Sequence, residues 1–271
     1  MTTKSSVTKK KVSAEGAPRR KKYSAPALEK GLDILELLSK QQEGLSVSEI
    51  SKLLNRSVGE LFRMLVVLEQ RGYVFLPADS DRYMLSLQLF RLAHRFPPVN
   101  RLNKVAVPVL QKLAFDIEQS CHISIYYEGM GHVVVQQDAP SSRIFTVKLG
   151  AEAPLLDSCS GHILLAFAED DERQRMLKLT PGYTKSRQKG IKSMIERVRS
   201  QGYESVDSAQ AGGVRDIGFP VFDYSEKVVA ALVTPFMSFL DGSHQVTADQ
   251  ARARMAEAAE DLSVALGRDI G

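Results

Sequence analysis

The stretch from Ser46 to Tyr83, SVSEISKLLNRSVGELFRMLVVLEQRGYVFLPADSDRY, decides the fold of the first part of this chain. Its pattern predicts a short helix, a tight turn, a longer helix and then a β-hairpin. That order is typical of a winged helix-turn-helix, whose second helix is shaped to enter the major groove of DNA. The stretch therefore predicts a protein that binds double-stranded DNA.

The two helices are predicted from the spacing of apolar residues and from the residues at their starts. Apolar residues recur at intervals of three and four, which is the period of a helix with one buried face. They are Val47, Ile50, Leu53 and Leu54 in the first helix and Leu61, Met64, Leu65 and Leu68 in the second. Each helix also opens with a Ser followed three residues later by a Glu, which is the pattern of a capping box.

The second helix can be projected at about 100° per residue to find the face that it offers to DNA. Because Leu61 and Leu65 must face the core, Phe62 and Arg63 point away from it. Arg63 could bind guanine in a bidentate manner, and Glu60 could accept from cytosine or serve only as a cap. The candidate DNA-binding residues are Arg56, Ser57, Gly59, Glu60, Phe62, Arg63 and Arg82.

These motifs, together with several later stretches, resemble the IclR family of bacterial transcription regulators. The resemblance rests on ALEKGLDILELL and LEQRGYV near the N-terminus, and on APLLDSCSGHILLAFA at 153–168, QGYESVDSAQAGGVRDIGFPVFD at 201–223 and VVAALVTPF at 228–236. It covers nearly everything after residue 25. It implies a GAF-like effector domain that binds a small organic or aromatic acid, and assembly into homodimers and homotetramers.

The domain organisation follows from the same patterns and predicts an α+β chain. We expect a disordered basic arm at 1–24, a winged helix-turn-helix domain at 25–86, a linker helix at 87–104 and the effector-binding domain at 105–271. The linker carries the apolar residues Leu87, Phe90 and Leu92, which predict a dimerisation surface.

The second domain is predicted to combine an antiparallel sheet with helices packed on its faces. We expect a hairpin over 122–135, strands at 143–149, 215–222 and 227–234, and helices at 105–120, 160–168, 170–179, 188–199 and 247–266.

Charge and composition favour a DNA-binding protein of the cytoplasm. The 271 residues carry a net charge of +4, and the first 100 hold 17 Lys and Arg against 10 Asp and Glu. Seven of these cations lie between Lys9 and Lys22, where an arm could follow DNA phosphates or merely be a disordered tail. With no signal peptide and no apolar run of membrane-spanning length, we expect no membrane contact. Cys121 and Cys159 are then expected as free thiols.

The effector site is carried over from the resemblance, residue by residue. In the family, a loop before the GHILLA-type helix supplies backbone amides to the carboxylate of the ligand, and helix-start amides suit an anion. The residues of this loop are Ser158, Cys159, Ser160 and Gly161. Further candidates on neighbouring strands are Asp207, Asp216, Val233, Thr234, His122 and Ser124. Asp216 could instead pair with Arg215 or Lys148, and His122 could be purely structural.

Three other classes of function were weighed. An enzyme would need a nucleophile, a base and an anion hole, and SCSGH at 158–162 lacks a third orienting group and a Gly-x-Ser-x-Gly elbow. The five histidines show no paired ligand spacing, so no metal and no cofactor are expected. A constitutive architectural DNA-binding protein without an effector stays open. The preferred hypothesis is a ligand-responsive regulator, and repression relieved by the ligand is the expected mode.

Overall fold

The computed structural model describes residues 25–95, 97–239 and 246–269. The predicted basic arm at 1–24 lies outside the described residues. The chain divides into two compact units, one up to Ala93 and one from His94 onward. The division falls inside the segment 87–104 that the sequence suggested as a linker.

The first unit consists of three helices and a small sheet. In chain order its elements are α1 (Pro26–Leu38), β1 (Leu45–Ser46), α2 (Val47–Leu54), α3 (Val58–Gln70), β2 (Val74–Phe75) and β3 (Arg82–Leu85). A further helix, α4 (Gln88–Arg95), begins in this unit and reaches the boundary. The strands form a three-stranded antiparallel sheet in the order β1-β3-β2. The predicted helix-turn-helix and wing are therefore present.

The core of the first unit is built from the apolar stripes that the sequence shows. Ile34 of α1, Ile50 of α2, and Leu61 and Leu65 of α3 are completely buried in one cluster. The short turn between α2 and α3 is possible because Asn55 adopts a left-handed conformation with φ of 52°. This turn aligns α3 so that its opposite face is free.

The second unit is a six-stranded antiparallel sheet with helices on both faces. Its strands are β4 (Cys121–Tyr127), β5 (Met130–Gln137), β6 (Glu152–Pro154), β7 (Glu204–Asp207), β8 (Val214–Phe222) and β9 (Val228–Met237). The strand order across the sheet is β6-β5-β4-β9-β8-β7. The α+β class predicted from the sequence is confirmed.

Two layers of helices cover this sheet. The helices are α5 (Pro97–Ile117), α6 (Cys159–Phe167), α7 (Asp170–Leu179), α8 (Gln188–Gln201) and α9 (Ala248–Ala265). Helices α5 and α9 pack on one face, where Leu110, Ile117 and Leu262 are completely buried. Helix α6 lies on the other face with α7 and α8. The α6 face holds most of the candidate effector residues.

Two predicted elements of the second unit are wrong in extent or type. The segment 143–149 is no strand, because β5 already pairs with β6 along Met130–His132 and the segment joins no ladder. Helix α5 begins at Pro97, eight residues before the predicted start at Val105, since proline fits the first turn of a helix.

Candidate DNA-binding surface and effector cavity

The N-terminal half of α3 presents the surface predicted to meet DNA. Gly59, Phe62 and Arg63 are exposed on it, and the Phe62 side chain is 49% exposed. The buried Leu61 and Leu65 lie on the opposite side of the helix, as the period of 3.6 requires. An exposed aromatic ring beside an exposed guanidinium is free to contact a groove.

Glu60 is held by groups of its own domain. Lys30 of α1 donates to Glu60 Oε1 at 2.7 Å, and the Ser57 hydroxyl donates to Oε2 at 2.9 Å. The hydrogen bond from Lys30, supported by Ser57, lowers the pKa of Glu60 to about 2. Both carboxylate oxygens are thus occupied, which favours the capping role of Glu60 and Ser57 over base reading.

Two predicted arginines also have partners within the domain. Arg82 donates to the carbonyl oxygen of Gly44 at 3.0 Å and to Glu49 Oε1 at 2.9 Å. It therefore ties the wing to the start of α2, and its assignment to DNA is corrected to a structural one. Arg56 lies 4.0 Å from Asp33, a distance that leaves its guanidinium able to reach a phosphate.

The predicted effector residues line a cavity on the α6 face of the sheet, which we call the effector cavity. Its volume is about 50 Å³. Of the candidates, it brings together His122, Ser158, Cys159, Ser160, Asp216 and Val233. Residues missed from the sequence are Phe145, Val147, Asp157 and Ser208–Gln210, which close it from the 143–149 segment and two further loops.

The first turn of α6 supplies hydrogen-bond donors to this cavity. The Ser158 hydroxyl accepts from the backbone N–H of Gly161 at 3.1 Å, so the Gly161 amide is used in capping the helix. For the N–H groups of Cys159 and Ser160, no acceptor lies among the described residues. Only the latter two amides are therefore available to an anion, which corrects the prediction for Gly161.

Two glycines bring this helix close to its neighbours. A Cβ at Gly161 would lie 2.3 Å from the carbonyl oxygen of Leu155, and one at Gly218 of β8 would lie 2.7 Å from Cys159 Sγ. Neither site can take a side chain without displacing backbone or a buried thiol. The close packing of α6 on β8 places Cys159 beside the cavity.

Burial controls the charge of the groups around the cavity. It lowers the pKa of His122 to about 4, so the imidazole is neutral at neutral pH. It raises the pKa of Asp216, although a hydrogen bond with Ser208 acts in the opposite direction. Burial, and then the charges of Asp216 and Glu204, raise the pKa of the Cys159 thiol, which stays protonated.

Besides Gly161, three predicted residues lie outside the lining. Asp207 is exposed and accepts from Arg215 Nη2 at 2.8 Å, because the two face each other across β7 and β8. Thr234 pairs with Ile217 on the opposite, α5 and α9 face of the sheet. Ser124 is buried next to Ala231 and does not reach the lining. The predicted contacts of these three with a ligand are corrected accordingly.

A buried ionic cluster beneath α6 was not predicted from the sequence. Glu204 of β7 is completely buried, and its carboxylate lies 2.8 Å from His162 Nδ1 and 2.7 Å from Arg197 Nη2. Burial alone would raise the pKa of Glu204, but His162 and Arg197 lower it to about 2. His162 Nε2 also lies 3.2 Å from the carbonyl oxygen of Leu156, so the cluster holds the loop before α6.

Comparisons with known proteins agree over most of the chain. Residues 99–264 match the family described as "Bacterial transcriptional regulator IclR C-terminal", and residues 27–75 match the "IclR helix-turn-helix domain". The chain is 25% identical over 252 residues to the HTH-type transcriptional regulator XynR of Escherichia coli, covering 90% of this chain and 97% of the relative. It is also 25% identical to the HTH-type transcriptional repressor AllR of Salmonella typhi, covering 90% of each.

The fold has solved counterparts as well. An IclR homologue from Microbacterium hydrocarbonoxydans, solved as a complex with 4-hydroxybenzoate, superposes with a TM-score of 0.71 at 18% identity. The superposition covers 89% of this chain and 98% of the homologue.

The fold, the exposed face of α3 and the relatives define a class: a DNA-binding regulator of transcription. The chain belongs to the IclR family of bacterial transcriptional regulators. Among the described residues, no helix is both long and apolar enough to cross a membrane. Within the same residues, no group of three or more His, Cys, Asp or Glu is arranged to hold a metal ion.

Proposed function

We propose that this chain is a repressor whose affinity for its operator falls when a small organic or aromatic acid enters the effector cavity. The observation that carries the proposal is the pair of residues Cys159 and Ser160, which line the cavity and whose amides have no acceptor among the described residues. Helix-start amides hold a carboxylate through hydrogen bonds and through the helix dipole, with no buried cation needed.

The remaining lining suits the other end of such a ligand. Burial lowers the pKa of His122 to about 4, so its imidazole is neutral. A neutral imidazole can donate or accept a hydrogen bond, and the Asp216 carboxyl group can accept one from a hydroxyl group of the ligand. Val133, Phe145 and Val233 offer apolar contact between the two ends.

The size of the effector cavity implies movement when the ligand binds. At about 50 Å³ it can hold a few waters, whereas ligand pockets usually measure roughly 300–1,000 Å³. The segment 143–149 joins no strand ladder, so Phe145 and Val147 can move without breaking the sheet. We infer that the acid displaces this segment.

The DNA-binding arrangement follows from the reading face of α3. A protein with one such face per chain reads a near-palindromic site as a dimer, because two-fold operators match two-fold proteins. Leu87, Leu92 and Phe90 are exposed by 76%, 41% and 60%, and we assign them to the dimer contact. We infer further pairing into tetramers through the second unit. Because a bacterial regulator meets its DNA in the cytoplasm, we place the protein there.

Repression relieved by an acid agrees with two related proteins. The relative from Salmonella typhi is named a repressor, and the solved homologue holds 4-hydroxybenzoate. The ligand can change operator affinity only if it binds one arrangement of the two DNA-binding domains of the dimer better than another. A coupling free energy of about 1–3 kcal/mol is enough for this response.

A thermal-shift screen of small acids, with 4-hydroxybenzoate included, tests the proposal. The wild type should be stabilised by at least one acid, and Ser160→Leu should abolish the shift because the new side chain fills the cavity beside the amides. Ser193→Leu, on the exposed side of α8, is the matched control and should respond like the wild type. The hit should then release operator DNA in a mobility-shift assay.

Two results would count against the proposal. If no acid stabilises the wild type, the alternative of a constitutive regulator with a structural second domain is favoured. If a hit stabilises Ser160→Leu as much as the wild type, the acid binds elsewhere.

A further inference from the structure

The six-stranded sheet opens at one end, between its two central strands. Strands β4 and β9 pair only over His122–Ser124 and Ala231–Val233. Beyond Ser124 and Ala231 no ladder joins the two strands, although β4 continues to Tyr127 and β9 starts at Val228. The strands therefore separate within the described sheet.

A cavity of about 470 Å³ lies at this separation, and we call it the sheet-end cavity. Ile125 and Tyr126 line it from β4, and Val228 and Val229 line it from β9. Leu164 of α6 and Met176 of α7 complete its apolar wall. Its volume is within the usual range of small-molecule sites, roughly 300–1,000 Å³. Among the described residues, the two cavities have no lining residue in common.

One buried polar atom in this wall has no partner. The hydroxyl oxygen of Tyr126 is buried, and no described residue forms a hydrogen bond with it. Buried hydroxyl groups are almost always satisfied, since leaving one unpaired is costly. A Tyr hydroxyl can both donate to and accept from a ligand.

The charged groups of the sheet-end cavity disfavour an anion. Among the described residues of the lining, the one cation is Arg101, which donates to the carbonyl oxygen of Leu266 at 3.1 Å and so holds the end of α9. Asp223 accepts from the backbone and hydroxyl of Ser225 at 2.8 and 2.6 Å. Glu172 forms no ion pair or hydrogen bond with any described residue, which leaves a carboxylate at the edge of an apolar cavity.

We propose that the sheet-end cavity is a second ligand site, distinct from the effector cavity, for a hydrophobic molecule with an amine or hydroxyl head. The apolar body lies between the separated ends of β4 and β9. The head hydrogen-bonds to Tyr126, and a positively charged head also pairs with Glu172. The site contacts α5 at Arg101 and Leu102, close to the start of this helix at Pro97. A molecule bound here thus touches the helix that begins the second unit.

Three probes of one skeleton separate this site from the effector cavity: 2-phenylethylamine, 2-phenylethanol and phenylacetate. Calorimetric titration of the full chain should give saturable binding of the amine and the alcohol at the sheet-end cavity, and phenylacetate, an anion, should not bind there. Glu172→Gln should lower the affinity for the amine by about tenfold or more and leave the affinity for the alcohol unchanged. Asp171→Asn is the matched control, because Asp171 is exposed on the same helix and lies outside the lining.

Two more variants locate the probe. Tyr126→Phe, which removes only the hydroxyl group, should lower the affinity for both the amine and the alcohol. Val229→Phe should abolish the binding of both probes by filling the cavity. Ser160→Leu should leave both unchanged. The proposal is overturned if neither probe binds at millimolar concentration, if Glu172→Gln and Tyr126→Phe bind the amine like the wild type, or if Ser160→Leu removes binding.

Discussion

The ammonium group of Lys30 in α1 lies 2.7 Å from Glu60 Oε1 at the start of α3. The ion pair joins two elements that are 30 residues apart, and it fixes the orientation of the helix that meets DNA. The same carboxylate caps α3 through Ser57. Glu60 thus positions the surface that we propose to read DNA, on which Phe62 and Arg63 are exposed.

The low pKa of Glu60 predicts a pH dependence of the stability of the first unit. Its folded pKa of about 2 lies below the ordinary value of 4.5, so the stabilisation is complete above pH 4.5 and is lost as the pH falls toward 2. Glu60→Gln should lower the urea midpoint at pH 7, and the difference from wild type should shrink at pH 3.5. Glu69→Gln changes a residue on the exposed side of α3 and should have the urea midpoint of the wild type at both pH values.

Arg63→Ala should weaken binding to the specific operator by about 1–3 kcal/mol and to random DNA by less, because base contacts carry the sequence preference. Arg71→Ala is the control, since Arg71 lies at the C-terminal end of α3. Fluorescence anisotropy at a fixed salt concentration measures the affinity of each variant for the operator and for random DNA. An equal loss on the two DNAs would mean that Arg63 contacts phosphate alone.

Glu204→Gln should destabilise the second unit by about 3 kcal/mol, since it leaves the guanidinium group of Arg197 without its buried partner and weakens the contact with His162. Chemical denaturation at neutral pH measures the loss. Glu196→Gln replaces an exposed carboxylate on α8 and should change little. A Glu204→Gln chain as stable as the wild type would show that the cluster contributes no net stability.

The neutral state of His122 predicts a second pH effect. Its folded pKa of about 4 lies below the ordinary value of 6.5, so the unfolded chain binds more protons between these values and stability falls as the pH drops from 6.5 to 4. In His122→Gln, the loss of folding stability between pH 6.5 and 4 should be smaller than in the wild type by up to about 3 kcal/mol. Parallel stability curves for the two proteins from pH 7 to 4.5 would contradict the assignment.

Replacing both Leu87 and Leu92 by Glu should dissociate the dimer, because it places charge on two exposed apolar residues. Light scattering at micromolar concentration should give a lower mass than for the wild type. Leu149→Glu changes a residue that is 66% exposed in the second unit and serves as the control. A wild type that is already monomeric would refute the assembly.

Local pattern was enough to predict the helix-turn-helix, the wing and the α+β class. The spacing of Ile50, Leu61 and Leu65 depends only on the period of a helix, and the capping boxes span three residues. The start of α6 was likewise predictable, since it depends on the helix itself and on Ser158 at its cap, and its role as an anion site stays a prediction.

Only the tertiary structure decided what each polar side chain contacts. Arg82 and Asp207 resembled functional residues, yet strand register places Arg82 near Glu49 and Asp207 opposite Arg215. The separation of β4 from β9 likewise could not be predicted from any pattern in the sequence. Helix and turn patterns are set by neighbours along the chain, whereas partners across a sheet depend on register and packing between residues far apart in sequence.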